Sequence, residues 1–143
     1  MMSLIEQLFV EGDTFLKDAK SQFYLKKEEQ CDASCSSCKA IKKYLDAYEK
    51  HLFRGINPSD NYHVLIHTIS QKDNDFKRFS EKIYEVKCFA EESRREGKEF
   101  FLYADEINET LKIVLEVRNY VAQKVKLDRK FMAEYSGTSF MAI

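Results

Sequence analysis

The sequence predicts an all-α protein, an antiparallel, up-and-down bundle of four or five helices. Three observations predict it. Proline occurs once and glycine four times in 143 residues, too few to punctuate a turn-rich β fold. Charged residues make up 33% of the chain, enough to clothe long solvated helix faces. Apolar residues recur at steps of three and four over long stretches, the period of one helix face. A chain of this length is expected to form one domain, 1–143. It buries about 68–70% of its unfolded surface, enough for a core without staples.

The first helix is expected at about 2–28. Its stripe is Ile5, Leu8, Gly12, Phe15 and Ala19, broadened by Leu4, Phe9, Leu16 and Phe23. Gly12 is the only glycine inside a periodic pattern. It costs up to about 1 kcal/mol relative to alanine, which a close helix crossing would explain.

The second helix, 32–53, is the segment on which the others should pack. At about 100° per residue, Cys31, Cys35 and Cys38 fall within roughly 60° of one another. Ile41, Leu45, Tyr48 and Leu52 continue the same side, and Asp32 or Ser34 is the cap candidate. Arg54-Gly55-Ile56-Asn57-Pro58 reads as a turn.

A short third helix, 61–72, follows, with Ser59, Asp60 or Asn61 as its cap and Tyr62, Leu65, Ile66 and Ile69 on one face. Lys72-Asp73-Asn74-Asp75 breaks the pattern and caps a fourth helix, 75–95, whose stripe is Phe76, Phe79, Ile83, Val86 and Ala90. A loop around Gly97 is expected to fold its Phe100-Phe101-Leu102-Tyr103 run back onto the bundle.

Asp105 is the expected cap of the fifth helix, 105–126. Its apolar arc is the widest: Ile107, Leu111, Ile113, Val114, Leu115, Val117, Val121 and Val125. One neighbour cannot cover such an arc, so this helix is either central or part of a subunit interface. The short tail from Leu127 carries Phe131, Met132, Phe140, Met141 and Ile143 and is expected to pack against an apolar surface.

A net charge of −1 speaks against a non-specific nucleic-acid binder, which shows a basic excess. MMSLIEQLFVEGD has no basic stretch ahead of an apolar one and does not read as a signal peptide. No apolar run approaches the roughly 20 residues that span a bilayer. The expectation is a cytoplasmic protein with reduced cysteines and no membrane association.

Cys31-x3-Cys35-x2-Cys38 has the spacing by which radical-SAM enzymes hold an iron–sulfur cluster. Those enzymes need a large α/β barrel, and this chain has no βα alternation. On a helix the three sulfurs line one face and act as small apolar groups. The remaining alternative is a zinc site completed by a histidine. Cys88 lies off the fourth stripe. His63 and His67 have the i, i+4 spacing of two metal ligands on one helix, but they fall opposite the apolar face and read as a surface pair. His51 stands alone at the edge of the second helix. No cofactor is implied.

Arg118 falls inside the apolar arc of the fifth helix. A buried guanidinium needs an acid partner. A facing carboxylate is the structural reading; a functional arginine, or one reaching across a dimer, is the other. The basic groups Lys42-Lys43, Lys77-Arg78, Arg94-Arg95 and Lys124, Lys126, Arg129, Lys130 are interleaved with acids and read as solvated faces. Neither a phosphate-binding glycine loop nor a Ser/His/Asp order occurs.

Three stretches carry a family resemblance: FLKDAKSQFYL at 15–25, ASCSSCKAIKKYLDAYEKHLF at 33–53, and FKRFSEKIYEVKCFAEESRREGK at 76–98 continued by ADEINETLKIVLEVRNYV at 104–121. In order and pattern they resemble the HEPN superfamily of small helical bundles. The resemblance implies an antiparallel bundle, often a homodimer, in a group that includes ribonuclease toxins and proteins accompanying nucleotidyltransferases. The ribonucleases carry Arg, four to six residues, then His, with a polar residue after the Arg. Here Arg118-Asn119 begins like that motif, but Gln123, Lys124 and Val125 stand where His should be. Arg94 and Arg95 fall where the family's loop arginine would be.

The expected function is therefore a non-catalytic HEPN-like bundle that acts by binding, as a homodimer. The alternative is a ribonuclease-like or nucleotidyltransferase-associated protein acting on RNA or nucleotides through Arg118, Arg94 or Arg95. That alternative predicts a cleft holding one of these arginines beside His51, His63 or His67. A third reading is a metal module on Cys31, Cys35 and Cys38.

Overall fold

A computed structural model describes residues 2–25, 30–53 and 61–126. Over these residues the chain is an all-α bundle of five helices: α1 (Leu4–Leu25), α2 (Gln30–Phe53), α3 (Tyr62–Lys72), α4 (Ser80–Glu96) and α5 (Ala104–Val125). The turn at 54–58, residues 26–29 and the tail from Leu127 lie outside the described residues. No described helix is long and apolar enough to cross a membrane.

α1 starts on a capping box. The Ser3 hydroxyl accepts from the Glu6 amide at 3.2 Å, and the Glu6 carboxylate accepts from the Ser3 amide at 3.0 Å. Leu8, Phe9, Leu16, Ala19 and Phe23 are buried, as the 3–4 spacing requires, while Leu4 stays exposed. Gly12 has a definite reason. A Cβ there would lie 2.5 Å from Cε1 of Tyr44, so only glycine lets the α2 tyrosine cross α1 at this depth. α1 and α2 accordingly share the most extensive contact among the described helices.

α2 is the common wall and packs against α1, α3, α4 and α5. It is already helical at Gln30, so Asp32 and Ser34 lie within its first turns rather than at its cap, and Ser34 is buried. The Gln30 side chain instead accepts from the Leu102 amide at 2.7 Å, tying the start of α2 to the segment before α5.

α3 is capped as expected at Asn61, whose side-chain oxygen accepts from the amides of His63 (2.9 Å) and Val64 (3.4 Å). The expected fourth helix begins instead as a 3-10 segment, Asn74–Phe79, before α4 takes over at Ser80. In a 3-10 helix residues three apart eclipse. Phe76 and Phe79 are both buried with ring centroids 5.3 Å apart, and the tighter winding turns both rings inward.

α4 ends at Gly97, whose φ of 60° is a conformation glycine adopts without strain. The next residues alternate: Phe100 and Leu102 are buried, Phe101 and Tyr103 exposed. α5 is capped at Tyr103 rather than Asp105, with the Tyr103 amide donating to the Glu106 carboxylate at 3.0 Å. Its arc is buried at Ile107, Leu111, Ile113, Val114, Val117 and Val121 against α1, α2 and α4. Neighbours within the same chain cover most of that arc, while Leu115 and Val125 stay partly exposed.

Candidate functional site

Arg118 is 2% exposed. Its Nε donates to Asp13 Oδ1 of α1 at 2.9 Å, Nη1 donates to the Asn119 side chain at 2.7 Å, and the guanidinium stands 5.2 Å from the Phe9 ring. The Tyr44 hydroxyl donates to the same Asp13 oxygen at 2.6 Å. Burial first, then the Asp13 charge and hydrogen bond, push the Tyr44 phenol well above its ordinary range. This is the facing carboxylate that the sequence required without locating. Asp13 sits on the α1 face beside Gly12, so one crossing delivers both the close approach and the counter-charge.

A second polar knot lies at the α3–α4 corner. The hydroxyls of Tyr48 and Tyr120 each donate to Asp73 Oδ2 at 2.5 Å. Burial raises the Asp73 carboxyl, but the two phenols and the nearby Lys124 outweigh it, and the net direction is down. Burial and the Asp73 hydrogen bond push both phenols up. The Arg78 guanidinium stacks 4.9 Å from the centroids of both Phe79 and Tyr120. The knot joins α2, α5 and the 73–79 corner.

The cysteines point along α2 toward α4. Cys31 Sγ donates to the Ser93 carbonyl at 3.2 Å, Cys35 Sγ lies 3.8 Å from the Ser93 hydroxyl, and Cys38 is buried beside Tyr62. Cys88 is exposed. Among the described residues no three His, Cys, Asp or Glu side chains gather as a metal site. His63 and His67 are both exposed and line a recess of about 310 Å³ with Ser70, Lys77, Ser80 and Tyr84. The His63 ring packs 4.2 Å from Tyr84, and His67 Nε2 lies 3.2 Å from the Gln71 amide nitrogen. His51 is exposed near the end of α2 and stacks on Tyr48 at 6.4 Å.

A cleft of about 560 Å³ lies between α2 and α4. Cys38, Lys39, Lys42, Lys43 and Asp46 line it from α2, at the i, i+1, i+4, i+5, i+8 offsets of one helix flank. Lys87, Ala90, Glu91 and Arg94 line it from α4, again one turn apart. Phe15 of α1 and Tyr62 of α3 complete the wall. The Tyr62 hydroxyl donates to the Cys38 carbonyl at 2.6 Å, and its oxygen lies 3.1 Å from Cys38 Sγ. Burial pushes the Cys38 thiol up, against the pull of Tyr62 and of the Arg94 and Lys87 charges. It stays protonated near pH 7 and is a poor nucleophile.

Five cations stand against three carboxylates, Asp46 and Glu91 of the lining and Glu11 paired with Lys43, a surplus of +2 on a chain whose total is −1. Lys42 is held by Asp46 at 2.5 Å, Lys43 by Glu11 at 2.8 Å and Lys87 by Glu91 at 3.7 Å. Lys39 and Arg94 are exposed and have no carboxylate in ion-pair range among the described residues.

The structure thus separates the sequence candidates. Arg118 is enclosed between α1 and α5. Arg94 opens onto the cleft, whose described walls hold no histidine. Arg95 is exposed on the last turn of α4. The sequence reading missed Asp13, Lys39 and Lys87. A signal was present for the last two: Lys39, Lys42 and Lys43 share one flank of α2, and Lys87 and Arg94 lie two turns apart on α4.

Comparison of the chain with protein-family models, with curated proteins and with solved structures finds no match.

Proposed function

We propose that this chain is a HEPN-like helical bundle that acts by binding rather than by catalysis, and that the α2–α4 cleft receives a ligand carrying negative charge. The observation that carries the reading is the concentration of five cations in one concavity of a slightly acidic protein. Low-dielectric walls focus such a charge and raise the local concentration of anions. The volume falls in the range of small-molecule sites, roughly 300–1,000 Å³.

Two further features support binding over turnover. The cleft's thiol is held protonated by burial, and none of its described lining groups is a histidine poised for proton transfer near pH 7. The one arginine that begins the ribonuclease-like motif, Arg118, spends its charge on Asp13 inside the core. Incubation with single-stranded RNA is the test: the RNA stays intact. Cleavage that disappears in Arg94→Ala would overturn the reading.

Self-association is the second part of the proposal. Tyr24, Phe101 and Tyr103 are exposed large rings at the end of the bundle where α1 finishes and α5 begins, and Tyr24 reaches Asn108 there at 3.0 Å. Light scattering behind size-exclusion chromatography should report twice the monomer mass at high micromolar concentration. A monomer would remove this part and leave the cleft untouched.

A further inference from the structure

The cleft's chemistry narrows its ligand. We propose that it takes a compact polyanion of the phosphate class, a pyrophosphate or the diphosphate end of a larger molecule, bridging α2 and α4. This rests on the reading of the cleft as the binding site.

The cations stand on two helices. Lys39, Lys42 and Lys43 come from α2, and Lys87 and Arg94 from α4. A monoanion satisfies one wall and leaves the other facing it uncompensated. A ligand with charge at both ends satisfies both. The surplus of +2 is matched by two linked phosphate groups, each with at least one full negative charge near neutral pH. A single carboxylate carries one charge and leaves half of that surplus uncompensated.

The donors are of the right kind as well. Four ammonium groups and one guanidinium offer charge-assisted N–H bonds, and the arginine fork fits two oxygens on one phosphorus. The neutral groups of the floor are engaged with each other: the Tyr62 proton goes to the Cys38 carbonyl. Lys39 and Arg94, exposed and without a carboxylate in range among the described residues, are the first contacts. Lys87 holds Glu91 on its own helix at the long distance of 3.7 Å and turns to the ligand at small cost, while Lys42 stays on Asp46 and adds its charge from there.

Size and surroundings argue against a polymer. A nucleic-acid strand needs a basic track along its backbone. Here Glu11, Asp46 and Glu91 stand among the cations and interrupt such a track.

The test is isothermal titration of the full chain with pyrophosphate at fixed ionic strength, beside succinate, a nucleoside diphosphate and a short single-stranded RNA. The double variant Lys39→Gln/Arg94→Gln is titrated in parallel, with its melting temperature as the folding control. Saturable pyrophosphate binding, weakened at least tenfold in the folded double variant, is the expected result. Equal affinity for the nucleoside diphosphate identifies the diphosphate alone as the recognised group, and tighter affinity identifies it as one end of a larger molecule. Pyrophosphate binding that the double variant leaves unchanged overturns the assignment. So does binding of succinate or RNA, but not pyrophosphate, lost in the double variant; that result keeps the cleft as a site and rejects this ligand class. Silence with every anion removes the cleft reading itself.

Discussion

Two cationic regions of this molecule use the same side-chain chemistry to opposite ends. At the α1–α5 contact one guanidinium is sealed in the core with one carboxylate and one phenol, and each is nearly inaccessible. At the α2–α4 cleft five cations share three carboxylates in a concavity open to solvent. The first arrangement is matched in charge and closed; the second has a surplus and is open. Charge that is balanced where it is buried serves the fold, and charge left in surplus at a concave surface is available to a partner. The arginine that stands out in the sequence belongs to the first kind. The lysines that look ordinary belong to the second.

The sharpest way to break the comparison is to unbalance the buried region. Asp13→Ala strands the Arg118 guanidinium and should cost about 3–5 kcal/mol by urea denaturation. Replacing both partners with apolar residues, Asp13→Leu with Arg118→Met, should recover most of that loss. A double replacement no better than the single would mean that the pair contributes little beyond packing.

Next is the crossing that brings Asp13 to the pair. Gly12→Ala gains helix propensity but drives a methyl into the Tyr44 ring, at 2.5 Å from Cε1 before relaxation. Overpacking of this kind costs about 1–3 kcal/mol. In a Tyr44→Leu background the same substitution should be close to neutral, and a double-mutant cycle reads the coupling.

The Asp73 knot lies between the two regions in burial and should give an intermediate effect. Tyr120→Phe should cost about 1 kcal/mol near neutral pH. The sign with pH follows from the direction of the shift. The folded Asp73 carboxyl lies below its ordinary value, so its contribution is present above about pH 4 and is lost as pH falls through the lowered folded value. The two phenols are shifted upward, so their contribution is present below about pH 10 and is lost as pH rises above it. Denaturation curves of wild type and Tyr120→Phe should therefore converge at acid pH. Curves that stay parallel would show that the ring's packing, not its hydroxyl, matters.

The smallest stability effect belongs to the cleft. Exposed ion pairs contribute about 0–1 kcal/mol, so Lys43→Ala should barely move the denaturation midpoint. A large loss there would put the cleft lysines among the structural charges and erase the contrast with Arg118.

Much of the fold was legible because each helix carries its own period. The stripes of α1, α4 and α5 name nearly all of their buried apolar residues, whereas that of α2 passed over Ala33, Ala40, Tyr44 and Ala47, and Asn61 announces the start of α3 by its side-chain oxygen alone. The 3-10 winding at Asn74–Phe79 was not legible, since Phe76 and Phe79 fit either period and the choice depends on Tyr48 and Tyr120 lying opposite. The Tyr103 cap was hidden for a related reason: Asp105 is the better cap by side chain, and the Glu106 carboxylate decides the matter by bonding the Tyr103 amide. For the site, periodicity showed that Arg118 must be buried but could not choose its partner among distant acids. The cleft was hidden because its cations come from helices separated by α3, and neither flank is unusually basic by itself.

The Asp13–Arg118 bond spans 105 positions of the chain, from the first described helix to the last. During synthesis the carboxylate emerges early and cannot meet Arg118 until nearly the whole bundle has left the ribosome. Until then the α1–α2 hairpin offers that acid the Tyr44 hydroxyl but not its counter-charge, so its tightest crossing cannot be completed first. A fragment ending before α5 should stay loosened at Tyr44, and the act of completing the chain is what locks its beginning.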